Sequence, residues 1–253
     1  MEGIKQAIEF IATLGVKAEE PKQIEINGRK YCTKNLARYD KPDMADPIKA
    51  TTLTSMVDYI KQNRHELRDR MIIQVVSPTE VLLYSELLGE REREHLFRVN
   101  AVLPNFEYGR EYEQEAFLVS MQSCFVDNED RAAIAFLASN IVNTQQATFS
   151  DDGITQQAVV KTGITTKENA FVPNPVKLIP YRTFLEVQQP QSEFVFRISE
   201  SSGRGSTPMG APLFKLVAAD GGLWKNQAME NVKKYLTEQL ADIPDRDHIT
   251  IIA

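Results

Sequence analysis

The glycine-rich segment over residues 203–210 (GRGSTPMG) is where the residue types come nearest to a phosphate-binding loop. A nucleoside-triphosphate loop ends in Gly-Lys followed by Ser or Thr, because its lysine must reach the outer phosphates. No lysine stands at that place here, and Pro208 removes a backbone N–H donor where donors are needed. The pattern therefore favours a mobile surface loop that could order against a partner subunit, with anion binding as the alternative.

Two adjacent carboxylates, Asp151 and Asp152, form a second candidate, because paired acids can bind a metal ion or transfer protons. Gly153 follows directly, and Asp-Asp-Gly is also typical of a turn whose glycine takes a positive φ. No second acidic cluster at a matching strand position accompanies the pair. The turn is therefore the favoured interpretation.

The cysteines and histidines are too scattered to indicate a nucleophile or a zinc site. Cys32 and Cys124 lie far apart, and the histidines stand at positions 65, 95 and 248. A structural zinc site usually takes its four ligands from two close pairs, and an esterase-type serine needs a Gly-x-Ser-x-Gly elbow. We therefore expect no metal, no cofactor and no enzyme activity, and we expect both cysteines to be reduced.

Three arginines are candidates for contact with a partner subunit or a small anion: Arg182, Arg197 and Arg204. Strand alternation over residues 194–198 places Arg197 on the face opposite two phenylalanines. The simpler interpretation is an exposed or salt-bridged arginine on the open face of a sheet. The other is an arginine at a subunit interface, where this residue is enriched.

Trp224 and the apolar C-terminal segment are the remaining candidates for an interface. Trp224 is the only tryptophan, and it is expected to anchor the core or to act as an interface hot spot. Ile249 and Ile251 belong to a short apolar strand predicted over residues 249–252. Such a strand could pair with the edge of a neighbouring sheet.

Hydrophobic periodicity and turn residues predict the elements that position these side chains. Helices are predicted over residues 2–15, 53–63, 112–124, 128–142 and 224–240. Strands are predicted over residues 24–26, 30–32, 71–76, 81–88, 94–103, 148–150, 154–161, 176–179, 184–187, 194–198, 213–218 and 249–252. Asn27-Gly28 is expected to turn the first hairpin, Gly15 to end the first helix and Asp127 to cap the fourth.

This order of elements predicts an α+β fold of mixed, mostly antiparallel sheets. It has an N-terminal helix, a central helical hairpin and a long C-terminal helix. We expect either a division near residue 144, with an α+β half over 1–144 and a β-rich half over 145–253, or one continuous domain. No linker composition marks the boundary.

Charge and composition exclude some classes of function. The 253 residues include 29 Lys and Arg against 35 Asp and Glu, a net charge of −6. Proteins that coat nucleic acid need a positive face for the phosphates, so this role is disfavoured. No apolar run is long enough to span a membrane, and the first residues lack the features of a signal peptide. We therefore expect a cytoplasmic protein without a membrane partner.

The second half of the chain carries short motifs in a distinctive order: residues 151–156 (DDGITQ), 180–187 (PYRTFLEV), 189–197 (QPQSEFVFR) and 219–224 (ADGGLW). In these motifs, and in the helix near residues 53–60, the chain resembles the YfdQ-like family of uncharacterised proteins from tailed bacteriophages and prophages. The resemblance implies a phage-encoded, non-virion protein made in the cytoplasm of the bacterial host. That family carries no agreed activity, so no catalytic residue is transferred.

These observations favour a non-enzymatic phage protein that self-assembles into a symmetric homo-oligomer, since closed symmetry is usual for soluble homomers. Two alternatives stay open. One is a binding module, or sponge, for a host or phage factor or a small anionic ligand, with Arg182, Arg197 and Arg204 as its pocket. The other is an accessory protein in phage recombination or replication, which would bind nucleic acid with a steep dependence on salt.

Overall fold

The computed structural model describes residues 2–19, 21–26, 29–32, 44–62, 67, 70–88, 91–141, 156–161, 167–203, 207–243 and 248–253. The chain divides into two compact units, Met1–Met44 and Ala45–Ala253. The described residues mix helices with mostly antiparallel strands, which confirms the predicted α+β class. Among them, no helix combines the length and the apolar character that crossing a bilayer requires.

The helices and strands are numbered in chain order. The helices are α1 (Glu2–Glu19), α2 (Leu53–Gln62), α3 (Gln114–Cys124), α4 (Glu129–Asn140) and α5 (Trp224–Gln239). The strands are β1 (Gln23–Ile26), β2 (Arg29–Cys32), β3 (Ile48–Ala50), β4 (Met71–Ser77), β5 (Glu80–Ser85), β6 (His95–Asn100), β7 (Tyr112–Glu113), β8 (Gln156–Lys161), β9 (Lys167–Val172), β10 (Val176–Leu178), β11 (Ser192–Glu200), β12 (Pro212–Ala218) and β13 (Ile249–Ile252).

The first unit contains helix α1 and the hairpin formed by β1 and β2. The two strands pair antiparallel with Ile26 opposite Arg29, which confirms the hairpin predicted around positions 27 and 28. Those two turn residues lie outside the described part of the chain. The predicted end of the helix at Gly15 is wrong, because α1 continues to Glu19. One glycine within a helix costs only about 1 kcal/mol relative to alanine, which the rest of the helix can offset.

A five-stranded sheet forms the first core of the second unit. Its strand order is β13-β4-β5-β6-β3, with parallel pairing at both edges and antiparallel pairing between the central strands. The central strands confirm the predicted hairpin, with ends shifted by a few residues. The terminal strand β13 pairs with β4 of its own chain. One edge of this strand is therefore occupied within the chain, and another subunit could pair only with the opposite edge.

Helices α2 and α5 pack on this sheet. The four apolar residues predicted to form one face of α2 are all buried: Leu53, Met56, Val57 and Ile60. Helix α5 buries Ala228, Val232 and Leu236, of which Val232 and Leu236 lie in the same core. Full burial of such a side chain contributes about 1.5–3 kcal/mol, so these two stripes hold the helices on the sheet.

A four-stranded antiparallel sheet, in the order β10-β11-β12-β7, forms the second core together with α3 and α4. The predicted alternation along β11 is confirmed, since Phe194, Phe196 and Ile198 are buried while Arg197 is half-buried on the opposite face. The ring of Phe117 on α3 stacks on that of Phe196, with their centroids 5.7 Å apart. Six of the sixteen buried residues that the structure describes in this core are phenylalanines.

Strands β8 and β9 form a separate hairpin. Its first strand confirms part of the strand predicted over 154–161, and its second was not predicted. The strand predicted over 148–150 and the Asp151-Asp152 turn lie outside the described residues. So does the boundary expected at residue 144. Each core contains strands from before and from after residue 144, because β7 pairs with β12 in one sheet and β4 pairs with β13 in the other.

The N-cap of α4 differs from the prediction. Asn128, not Asp127, accepts the hydrogen bond from the N–H of Arg131 through its side-chain oxygen, at 2.8 Å. The amide nitrogen of Asn128 also donates to the carbonyl of Lys177 in β10 at 2.7 Å. Asp127 instead forms an exposed ion pair with the guanidinium of Arg131, at 2.6 Å.

This arrangement predicts different effects for two neighbouring substitutions. Asn128→Ala removes the cap and the bond to β10, so we expect it to lower the free energy of unfolding by about 1–2 kcal/mol. Asp127→Ala removes only an exposed ion pair and should cost less than about 1 kcal/mol. Urea unfolding of both variants measures the difference. A larger effect at Asp127 would contradict this assignment of the cap.

Candidate functional site

Residues 181–189 connect the two cores of the second unit and are organised by the buried side chain of Gln189. Its oxygen accepts hydrogen bonds from the N–H groups of Arg182 and Thr183, at 2.9 and 3.2 Å. Its nitrogen donates to the carbonyls of Thr183 and Phe184, at 3.2 and 2.9 Å, and more distantly to that of Val187. Buried polar groups are stable only when paired, so this one amide fixes the course of the backbone.

The strand predicted over residues 184–187 is therefore wrong. The segment forms a turn in which the N–H of Val187 donates to the carbonyl of Phe184 at 3.3 Å. Both side chains enter the first core. The hydroxyl of Thr183 donates to the carbonyl of Pro78, at 2.5 Å, and so ties the turn to the β4–β5 connection.

Arg182 leaves this segment on the side of the second core, where its guanidinium lies between two aromatic rings. Its central carbon is 4.1 Å from the ring centroid of Trp224 and 5.7 Å from that of Phe194. Nη2 donates to the hydroxyl of Ser192, and Nε is buried without a hydrogen-bond partner. Burial lowers the pKa of the guanidinium, while the charges of Tyr108 and Asp220 oppose that shift.

Asp220 carries the negative charge that acts on this arginine. One carboxylate oxygen accepts from the N–H of Gly222 at 3.1 Å, and the other is buried without a partner. Burial raises the pKa of the carboxyl. However, hydrogen bonds from Ser192 and the Gly222 amide, together with the charge of Arg182, outweigh this and lower the pKa below its ordinary value. Ser192 thus accepts from the arginine, and its hydroxyl also helps to lower the pKa of the carboxyl.

Tyr108 completes the cluster around Arg182. Its ring stacks on Phe194, with centroids 5.3 Å apart and planes inclined by 15°. Burial raises the pKa of Tyr108 to about 12, although the charge of Arg182 opposes the shift. The phenol therefore remains protonated near neutral pH and can donate a hydrogen bond.

Two clefts meet at Trp224. The larger, about 490 Å³ and here called the Asp220 cleft, is lined by Asp220, Ser192 and Lys177 among others. The smaller, about 220 Å³ and here called the Arg182 cleft, is lined by Leu103, Pro104, Asn105, Phe106, Tyr108, Cys124, Pro180, Tyr181, Arg182 and Trp224. Among these lining residues Arg182 alone carries a charge.

The structure brings two of the predicted site residues together, Arg182 and Trp224, and places the others elsewhere. Arg197 lies on β11 opposite Lys215 of β12 and lines neither cleft. Ile249 is buried in the first core, and Ile251 packs against the same core. Arg204 lies outside the described residues, as do the neighbouring positions 205 and 206 of the glycine-rich loop.

A second feature stands out in the first unit, where the apolar face predicted for α1 is exposed. The exposed fractions are 69% for Ile4, 61% for Ile8, 66% for Ile11 and 50% for Leu14. Phe10, beside this stripe, is 65% exposed. Monomeric proteins seldom present so many large apolar side chains on one short element, so this face is a candidate interface.

No protein-family model, no curated protein and no solved structure matches this chain. Among the described residues, His, Cys, Asp and Glu form no group of three or more placed to hold a metal ion. What the arrangement around Arg182 can do chemically is hold an anion and a planar group, since it offers a guanidinium, a phenol and aromatic walls.

Sequence reasoning missed Gln189, Ser192, Asp220 and Tyr108. Asp220 carried a usable signal, because an aspartate before two glycines is typical of a turn in which the carboxylate accepts from the backbone two residues on. Gly221 and Gly222 indeed take φ values of 61° and 87°. Gln189 and Ser192 bond to residues within ten positions of them, but no residue types at fixed spacing mark these bonds as Asp-Gly-Gly marks its turn.

The role of Gln189 predicts a large difference between adjacent glutamines. Gln189→Leu leaves several buried backbone groups unpaired, at about 1–3 kcal/mol each, so we expect the free energy of unfolding to fall by about 3 kcal/mol or more. Gln188→Leu changes an exposed side chain and should have an effect within about 0.5 kcal/mol. Urea unfolding followed by circular dichroism measures both. Equal effects would show that the amide does not organise the turn.

Proposed function

We propose that this chain is a non-enzymatic, phage-encoded protein that self-associates into a symmetric homo-oligomer, and that the apolar face of α1 is the contact between copies. The observation that carries the proposal is the exposure of Ile4, Ile8, Ile11 and Leu14 along one side of a single helix. The occupant we assign to this face is the same face of a second copy.

An exposed apolar face is costly for a helix of this length. Isolated helices of about 12–15 residues are marginal in water, and most helices in proteins are stabilised by packing of their apolar face. Helix α1 has 18 residues. Burying a single isoleucine or leucine side chain contributes about 1.5–3 kcal/mol. Covering the stripe would therefore both stabilise α1 and supply the driving force for association.

The spacing along α1 fits a two-stranded helix pair. Ile4 and Ile11 are seven residues apart, and so are Ala7 and Leu14, which places them at the a and d positions of a heptad. Isoleucine at both a positions and leucine at one of the two d positions are typical of parallel dimers. A parallel pair relates its copies by a two-fold axis, so the same patch serves both subunits.

The charges of α1 support a second copy rather than a membrane surface as the occupant. A helix that lies on a membrane is typically rich in Lys and Arg on its polar face. The polar face of α1 instead mixes both signs, and Lys5 forms an exposed ion pair with Glu9 at 4.0 Å.

The phage origin rests on the motifs that resemble the YfdQ-like family. The alternative to a second copy is a host or phage protein that binds the apolar face of α1.

This proposal predicts that one substitution on the apolar face of α1 dissociates the oligomer. The wild-type chain should have a discrete multiple of the 28.6 kDa chain mass, measured by light scattering after size exclusion. Ile11→Glu puts a charge into the contact and should give the mass of one chain. Gln6→Glu adds the same charge on the opposite side of the helix and should leave the wild-type mass unchanged.

Circular dichroism and thermal unfolding of both variants establish that the second unit stays folded. A monomeric wild-type protein at micromolar concentration would overturn the proposal. An Ile11→Glu variant with the same mass as Gln6→Glu would show that copies associate through another surface.

A further inference from the structure

We infer that the Arg182 cleft is a binding site for a small planar aromatic carboxylate, held by Arg182 through its charge and by Trp224 and neighbouring rings through stacking. The site lies within the second unit. It does not depend on self-association through α1, so either proposal can fail without the other.

The sign of the ligand follows from how the charges are divided between the two clefts. Asp220, Glu193 and Lys177 line the Asp220 cleft, whereas Arg182 is the one charged residue among the described lining of the Arg182 cleft. Asp220 acts on Arg182 from the neighbouring cleft and offsets part of its charge. The described lining of the Arg182 cleft adds no acidic group, so the guanidinium still attracts an anion more strongly there than it would in open water.

The hydrogen-bonding groups fit a carboxylate. Nη2 of Arg182 is used by Ser192, while Nη1 makes no hydrogen bond to any described residue. Tyr108 lines the same cleft and keeps its proton near neutral pH, so its hydroxyl can donate as well. Asn105 adds a side-chain amide to the lining. A carboxylate needs donors of this kind, because it accepts hydrogen bonds and cannot donate them.

The walls and the volume of the cleft indicate the shape and the size of the ligand. Aromatic side chains line the cleft, namely Phe106, Tyr108, Tyr181 and Trp224, and aromatic pairs gain from offset stacking or edge contacts. The volume of about 220 Å³ is below the roughly 300 Å³ from which pockets for drug-sized ligands begin. A ligand with a single ring is therefore the best match.

Trp224 provides a direct readout. It is the only tryptophan of the chain, it lines the cleft, and its ring lies 4.1 Å from the guanidinium carbon of Arg182. A carboxylate that engages Arg182 must change the surroundings of this ring. Its fluorescence on excitation at 295 nm therefore reports on this cleft and on the Asp220 cleft that Trp224 also lines, and the Lys177→Met variant below distinguishes the two.

The test is a fluorescence titration of the full chain with benzoate. Benzamide serves as the neutral analogue of the same shape, and acetate as the carboxylate without a ring. We expect a saturable response to benzoate with a Kd in the millimolar range or below, as suits so small a ligand. Benzamide and acetate should bind at least tenfold more weakly. Saturation-transfer NMR repeats the three titrations with a readout that is independent of the indole.

Two variants and one matched control locate the site. Arg182→Met keeps the length of the side chain and should weaken benzoate binding at least tenfold. Tyr108→Phe removes only a hydroxyl and should weaken it about tenfold, as expected for a hydrogen bond to a charged group. Lys177→Met makes the same change of charge in the Asp220 cleft and should leave the Kd within twofold of wild type. Thermal unfolding verifies that each variant is folded.

The outcomes are distinct. No saturable response to benzoate in either readout, or equal affinity for benzamide or acetate, would overturn the inference. So would unchanged binding in Arg182→Met, or an equal loss in Lys177→Met. If Arg182→Met does not fold, Tyr108→Phe and Arg182→Lys decide, because both preserve the charge and each removes part of the donor geometry.

Discussion

The buried amide of Gln189 is the interaction on which the second unit depends. The chain must pass from the second core to the five-stranded sheet without strand pairing. Without the Gln189 amide its backbone groups there would be buried unpaired. One side chain satisfies groups on Arg182, Thr183, Phe184 and Val187 together. The result is a turn that sends Phe184 and Val187 into one core while it sets Arg182 against the other. The site at Trp224 is thus a consequence of how the two cores are joined.

Local pattern was sufficient where hydrophobic period or turn residues determine the element. The buried stripe of α2 follows from spacing alone, because four apolar residues on one side of a helix must face a core. The hairpin of the first unit follows from Asn27-Gly28, whose backbone preferences match the twist of the flanking strands. The alternation along β11 follows from the two-residue period of strands.

Local pattern failed where a specific side-chain hydrogen bond or a contact between elements decides the conformation. Residues 184–187 have the composition of a strand, but the amide of Gln189 competes successfully for their backbone groups. Asp127 and Asn128 are equally good caps by type, and the carbonyl of Lys177, reached only by Asn128, distinguishes them. The site shows the same limit. Arg182 and Trp224 are each candidates by residue type, but they are 42 positions apart, and their contact depends on the docking of α5, which no short pattern encodes.

The charged cluster around Arg182 contributes less to the stability of the fold than apolar side chains in the same place would. A half-buried charge pair often contributes less stability than apolar side chains of similar volume, because desolvation offsets the attraction between the charges. Here the pair also leaves Nε of Arg182 and one oxygen of Asp220 buried without partners, which adds to the cost. Methionine in place of Arg182 would avoid the desolvation of the guanidinium and the unpaired Nε, although Asp220 would then lose the cation that acts on it. The guanidinium at the wall of the Arg182 cleft, where it is the one charged residue of the described lining, supports the anion site that we propose there.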